Sequence, residues 1–145
     1  MTQEMKPRYT GEVRVTGGRE GHAVSSDGML DVTLRRPKTN GDNEGTNPEQ
    51  LFAAAWGACF LGALGGVTRE TGVDVSRARI DVAIGIGEDA VHGGSGLMAT
   101  ISLSIPGMDL AEVQCLADQA HTTCPYSKAT RGNIPVQVVA VESAD

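Results

Sequence analysis

The chain has 145 residues, the length of one ordinary domain and enough to bury roughly 70% of the surface its unfolded form exposes. A net charge of −6 and a pI near 5.0, with the twelve Lys and Arg residues scattered rather than striped, argue against a nucleic-acid partner. Three cysteines are too few and too odd in number for a secreted disulfide framework; in a reducing compartment such thiols point to catalysis, redox sensing or metal binding.

Met1 to Thr10 is polar and has no apolar run, so no secretory leader is expected and a cytoplasmic location is. From Tyr9 to Thr16, Val13 and Val15 alternate with polar neighbours, and His22 to Ser25 and Met29 to Arg35 follow as two more short strands. Asp27-Gly28 is a hairpin signal, and the cluster Gly17-Gly18-Arg19-Glu20-Gly21 is a second turn that sets Arg19 at a strand end. Pro37 to Thr46 reads as a polar loop. It leads into a helix from Asn47 to about Thr71, with Asn47 as cap, Pro48 at N1, Gln50 completing a capping box and Gly72 as the stop.

That helix has almost no polar face, so it must be covered on nearly all sides. Glycines and good caps distinguish it from a membrane span, and no membrane partner is expected. Gly57, Gly62, Gly65 and Gly66 interrupt it at roughly 1 kcal/mol each against Ala, which suggests close approach by another element. After a connector, Val73 to Arg77, the residues Ile80, Val82, Ile84 and Ile86 alternate as a half-covered strand, and Gly87 to Gly96 is a loop. Leu97, Ala99, Ile101, Leu103 and Ile105 form the return strand. Asp109 caps a second helix with Glu112 at N3, Pro125 ends it, and Ile134 to Glu142 is the closing strand. The order is βββ-α-ββ-α-β, an α+β fold in a single domain, residues 1–145.

On the second helix Val113, Leu116, Ala117 and Ala120 share a face onto which Cys124 falls if the turn persists; Cys115 points away. Cys59 and Cys124 on facing helices are thus candidates for a reversible disulfide. Two alternatives stand beside it. The thiols could be small buried hydrophobes, or Cys59, His121 and Cys124 could hold a metal. A reactive Cys59 in mid-helix needs a nearby cation to lower its pKa; Arg19 is the candidate, since a guanidinium keeps its charge when desolvated. Glu49 can hold Arg19 by a bidentate pair or can simply favour the helix N-terminus. Glu49 and Cys59 are ten residues apart, roughly 15 Å along one helix, so a shared site requires the glutamate of one chain and the cysteine of another. An intertwined homodimer is therefore expected.

Asn47-Pro48-Glu49-Gln50-Leu51-Phe52-Ala53-Ala54 with Ala58-Cys59-Phe60, and Cys124-Pro125-Tyr126-Ser127-Lys128-Ala129-Thr130-Arg131-Gly132-Asn133-Ile134, together resemble the organic hydroperoxide resistance proteins of the OsmC/Ohr family. Gly17 to Gly21 and the stretch from Ser25 to Asp31 join the match. The resemblance implies an obligate homodimer of swapped α+β subunits, its central helices wrapped by antiparallel sheets. It implies a peroxidase acting on alkyl and fatty-acid hydroperoxides without cofactor or metal, recycled by a dithiol such as a lipoylated protein. Cys59 looks like the peroxidatic thiol, Cys124 the resolving one, and Arg19 with Glu49 the activating pair; Cys115 matches no functional position. Trp56-Gly57 departs from the family's pattern, and Trp56, Phe60 and Met98 are the expected walls for an alkyl chain. The rival readings are an osmotically inducible peroxidase of broader range and a non-catalytic ligand- or metal-binding protein.

Overall fold

The computed structural model describes residues 3–144; Met1 and Thr2 of the polar leading stretch, and Asp145 at the end of the expected domain, lie outside the described residues. The chain forms two compact units, Met1–Pro48 and Glu49–Asp145.

The first unit is an antiparallel sheet of β1 (Val13–Thr16), β2 (His22–Ser25) and β3 (Asp31–Thr33), in that order. The expected strand from Tyr9 shortens to β1 because β2 ends at Ser25, and the last link on that side is Ser26 N–H to the Glu12 carbonyl at 3.0 Å. Asp27 builds the next turn: its carboxylate accepts from Ser25 Oγ at 2.6 Å and Met29 N at 3.0 Å. These bonds hold its carboxyl below the usual range, Ser25 contributing most. β3 is also shorter than Met29 to Arg35, because Leu34 leaves to bridge Thr46 in parallel and becomes buried.

Between β1 and β2 the glycine cluster forms a short 3-10 turn, Gly18–Glu20, entered through Gly17 at φ 73°. Gly21 closes it so tightly that a Cβ there would lie 1.7 Å from the Thr16 carbonyl oxygen. Arg19 is held in this turn, half-buried.

In the second unit α1 (Pro48–Thr68) lies with a mixed sheet of β4 (Arg79–Glu88), β5 (Ser95–Ser104) and β6 (Val136–Ala140). The alternation read from sequence becomes three cross-strand rows, Ile80–Leu103–Ala140, Val82–Ile101–Val138 and Ile84–Ala99–Val136. One face of each row packs on the core. Ile86 departs from that pattern: it pairs with Leu97 beyond the covered area and is 51% exposed. The hairpin extends to Glu88 and Ser95, and Asp89 organises its loop by accepting from Val91 N at 2.9 Å and His92 N at 3.0 Å.

β5 and β6 pair in parallel, so this sheet is not wholly antiparallel. The chain between them returns through α2 (Leu110–Thr123) and α3 (Pro125–Thr130), and a helical crossover of that length re-enters the sheet in the same direction. Asp109 caps α2 as expected, accepting from Ala111 N at 3.0 Å. Gln114 ties α2 to β6 by donating to the Val138 carbonyl at 3.1 Å and accepting from Ala140 N at 2.8 Å.

Gly21→Ala should cost more than about 2 kcal/mol of stability, at the upper end of ordinary single substitutions. The urea midpoint measures it; a change within about 0.5 kcal/mol would show that the turn relaxes around a side chain.

Candidate active site

α1 buries only one stripe inside the chain. Trp56, Phe60, Leu64 and Thr68, four residues apart, are buried, and Gly57 meets β4 so closely that a Cβ would touch Ile80 and Val82, each at 3.4 Å. The helix ends at Thr68 rather than about Thr71: Thr68 Oγ1 turns back to the Leu64 carbonyl at 2.9 Å, and its own carbonyl accepts from Thr71 Oγ1 at 3.0 Å. Gly72, at φ 71°, lies in the following turn. The opposite stripe, Ala54, Ala58, Gly62 and Gly66, is exposed. Nothing lies within 4 Å of a Cβ at Gly62, Gly65 or Gly66, so of the four glycines only Gly57 has its close neighbour inside the chain.

Cys59 stands between these stripes, half-buried. Pro125, which cannot continue α2, ends it one residue earlier, so Cys124 is the C-cap of α2 and the N-cap of α3. Its sulfur is fully buried in the core cluster, as expected from the apolar face of α2. Cys115 is exposed and accepts from Gln119 Nε2 at 3.3 Å.

The structure brings Cys59 and Cys124 together as interacting neighbours, both free thiols. Burial is the largest influence on Cys59 and pushes its pKa above the ordinary value of 9.0; the Tyr126 backbone N–H aimed at its sulfur pulls the other way, and Cys124 adds a smaller upward push. Tyr126 is in the first turn of α3, where a backbone N–H has no partner within the helix.

One turn away on each side the two helices are joined directly. Trp56 Nε1 donates to Ser127 Oγ at 3.0 Å with both residues fully buried. Phe52 meets Trp56 edge-on at 5.5 Å and Tyr126 at 6.3 Å. His121 lies with its ring 6.4 Å from Phe60; burial first, then the Arg131 charge, lowers its pKa. Arg131 reaches from the end of α3 to the His121 carbonyl at 2.6 Å. Among the described residues no group of three or more His, Cys, Asp or Glu is placed to hold a metal ion.

A groove of about 600 Å³ opens at Cys59, floored by Gly62, Ala63, Gly66 and Val67 and bounded by Thr123 and Pro125. None of the expected apolar walls lines this groove. Trp56 and Phe60 are fully buried core residues, and Met98 stands on β5 beside Gly85 and Gly87. Arg19 is in the 3-10 turn of the first unit, and Glu49 is half-buried in the first turn of α1. Sequence reasoning missed Tyr126 N–H, Ser127 and the glycine floor. Ser127 was within the matched block, but its partner is 71 positions distant.

The model of the OsmC-like protein family matches residues 41–139. An organic hydroperoxide resistance protein of Xanthomonas axonopodis pv. citri is 48% identical over 139 residues, covering 94% of this chain and 96% of its own length. The chain belongs to the OsmC/Ohr family. Two solved structures of such proteins share the fold. That from Elizabethkingia anophelis superposes with a TM-score of 0.85 at 40% identity over 96% of this chain and 100% of its own. OhrB of Bacillus subtilis does so at 0.84 and 39% over 92% and 98%. The α+β architecture of the OsmC/Ohr family is therefore the architecture of this chain; the short helix α3 after Cys124 is one more than the expected order βββ-α-ββ-α-β contained.

In the reduced protein Cys124 should be the last of the three cysteines to react with a maleimide, since its sulfur alone among them is fully buried. Timed quenching and peptide mass mapping give the order; Cys124 reacting before Cys115 would contradict the buried junction.

Proposed function

We propose that the protein is a thiol-dependent peroxidase that reduces organic hydroperoxides to alcohols. The observation that carries this is the pair of neighbouring free thiols, one facing an apolar groove and the other buried behind it. Membership of the OsmC/Ohr family, whose relatives carry organic hydroperoxide resistance in their names, supports it.

On this reading the Cys59 thiolate attacks the outer oxygen of R–O–O–H. The O–O bond breaks, the alkoxide leaves and takes up a proton as ROH, and Cys59 becomes a sulfenic acid. The Cys124 thiol then attacks that sulfur, water leaves, and a Cys59–Cys124 disulfide forms. A dithiol, such as a lipoyl group on a protein, returns both thiols and is itself oxidised to its cyclic disulfide. The alkyl chain lies along Gly62, Ala63, Gly66 and Val67, where each buried CH₂ contributes about 0.8 kcal/mol and so favours organic peroxides over hydrogen peroxide.

Burial favours the neutral thiol of Cys59, so the chemistry needs a cation. Arg19 supplies it, holding the thiolate and stabilising charge on the breaking O–O bond, and Glu49 holds Arg19. The separation of Glu49 and Cys59 along α1, roughly 15 Å, supports a reading in which they come from different subunits of a homodimer. The uncovered small residues Ala54 and Ala58, on the same stripe of α1 but outside the groove floor, fit a central helix that meets a second copy. Residues 1–145 act as one functional domain in the cytoplasm, where dithiol reductants are maintained.

Cys59→Ser should abolish peroxide consumption. Cys124→Ser should allow one turnover and then carry Cys59 to sulfinic acid, seen as a mass gain of two oxygens on its peptide. Full activity in Cys59→Ser would refute the proposal. Arg19→Ala should lower the rate at pH 7 by about tenfold or more, the thiolate lost per pKa unit. Because burial raises the thiol pKa, its rate should still be climbing above pH 9.0; an unchanged pH–rate profile would remove Arg19 from the site.

A further inference from the structure

A buried hydrogen bond joins the two helical turns that carry the thiols. Cys59 is three residues after Trp56 on α1, and Cys124 is three residues before Ser127 at the start of α3. Each pair spans about one helical turn. Trp56 Nε1 donates to Ser127 Oγ at 3.0 Å, and neither side chain touches solvent. Cys124 and Ser127 are fixed in one short helix by its first and last backbone bonds, Lys128 N–H to the Cys124 carbonyl at 2.9 Å and the C-cap Arg131 N–H to the Ser127 carbonyl at 3.0 Å. Moving Ser127 therefore moves Cys124.

We propose that Trp56 and Ser127 are positioning residues for the second chemical step, the attack of Cys124 on oxidised Cys59. The proposal rests on the peroxidase reading above but concerns a different bond: the S–S bond that forms as water leaves, rather than the O–O bond that breaks. Ring closure between two thiols depends steeply on how they are held, and about 1 Å of misplacement can cost 10²-fold. The indole N–H has one acceptor in this core, and losing it leaves a buried donor unsatisfied. The turn of α3 is then free to re-aim Cys124. The first step needs only Cys59, its activating groups and the groove, and uses neither Trp56 nor Ser127.

The test compares Ser127→Ala, Trp56→Phe and the double variant with the parent in two measurements. In the first, one equivalent of an alkyl hydroperoxide is added and the Cys59 sulfenic, sulfinic and disulfide forms are followed by quenched mass spectrometry. Sulfenic acid formation should stay within about twofold, disulfide closure should slow by about tenfold, and the sulfinic fraction should rise in proportion. The double variant should be no worse than the worse single one, because both singles remove the same bond. In the second, the reduced protein is equilibrated with dihydrolipoamide and lipoamide, with no peroxide present. The disulfide-to-dithiol ratio should fall about tenfold, equivalent to about 30 mV.

Unchanged closure and an unchanged ratio in properly folded Ser127→Ala and Trp56→Phe would overturn the proposal. So would both steps falling together in line with lost stability, the mark of a merely structural contact. If parent Cys59 is not oxidised by peroxide while the dithiol ratio still shifts in the variants, the peroxidase reading fails and the positioning role stands.

Discussion

Pro125 makes the chain end one helix and begin another, and the meeting of the two sulfurs depends on that break. Cys124 is the cap shared by α2 and α3, so it is at once anchored by α2's apolar face and placed at the mouth of a new helix. The same break leaves the Tyr126 N–H without a partner inside α3 and available to Cys59, and it brings Ser127 under the Trp56 indole. A continuous helix through this region would bond the Tyr126 N–H to a carbonyl four residues back and leave Cys59 without that partner.

Cys59 is under opposed influences. Burial against α3 gives it a neighbour to bond with and an apolar groove beside it, but the same burial disfavours the thiolate that any attack on a peroxide requires. One backbone N–H offsets part of that cost. The proposed guanidinium completes the balance, and a permanently charged group is suited to the task because desolvation cannot neutralise it.

The composition of α1 reflects several demands at once. Its large residues, Trp56, Phe60 and Leu64, form the buried stripe, and Gly57 lets the helix approach β4. Its small residues occupy the exposed stripe and the groove floor. α1 has the length and apolarity of a membrane-crossing helix, yet it packs a fully buried stripe into a core shared with α2 and β5. The apolar surface left over is what the proposed second copy and the substrate chain would cover.

The sequence by itself determined the elements whose signal is local. Period-two alternation marked β4 and β5, Asp109 marked the start of α2, Pro48 the start of α1, and the two cysteine blocks marked the family. It also separated Cys115 from the other thiols, because helical spacing alone sets which face a residue occupies. Only the tertiary structure decided the parallel entry of β6, the shortening of β1 and β3, the Trp56–Ser127 bond and the glycine-floored groove. Each depends on which distant segment arrives beside it. Trp56 shows the limit most plainly: its size and position suited a pocket wall, and a serine from the far end of the chain made it part of the core.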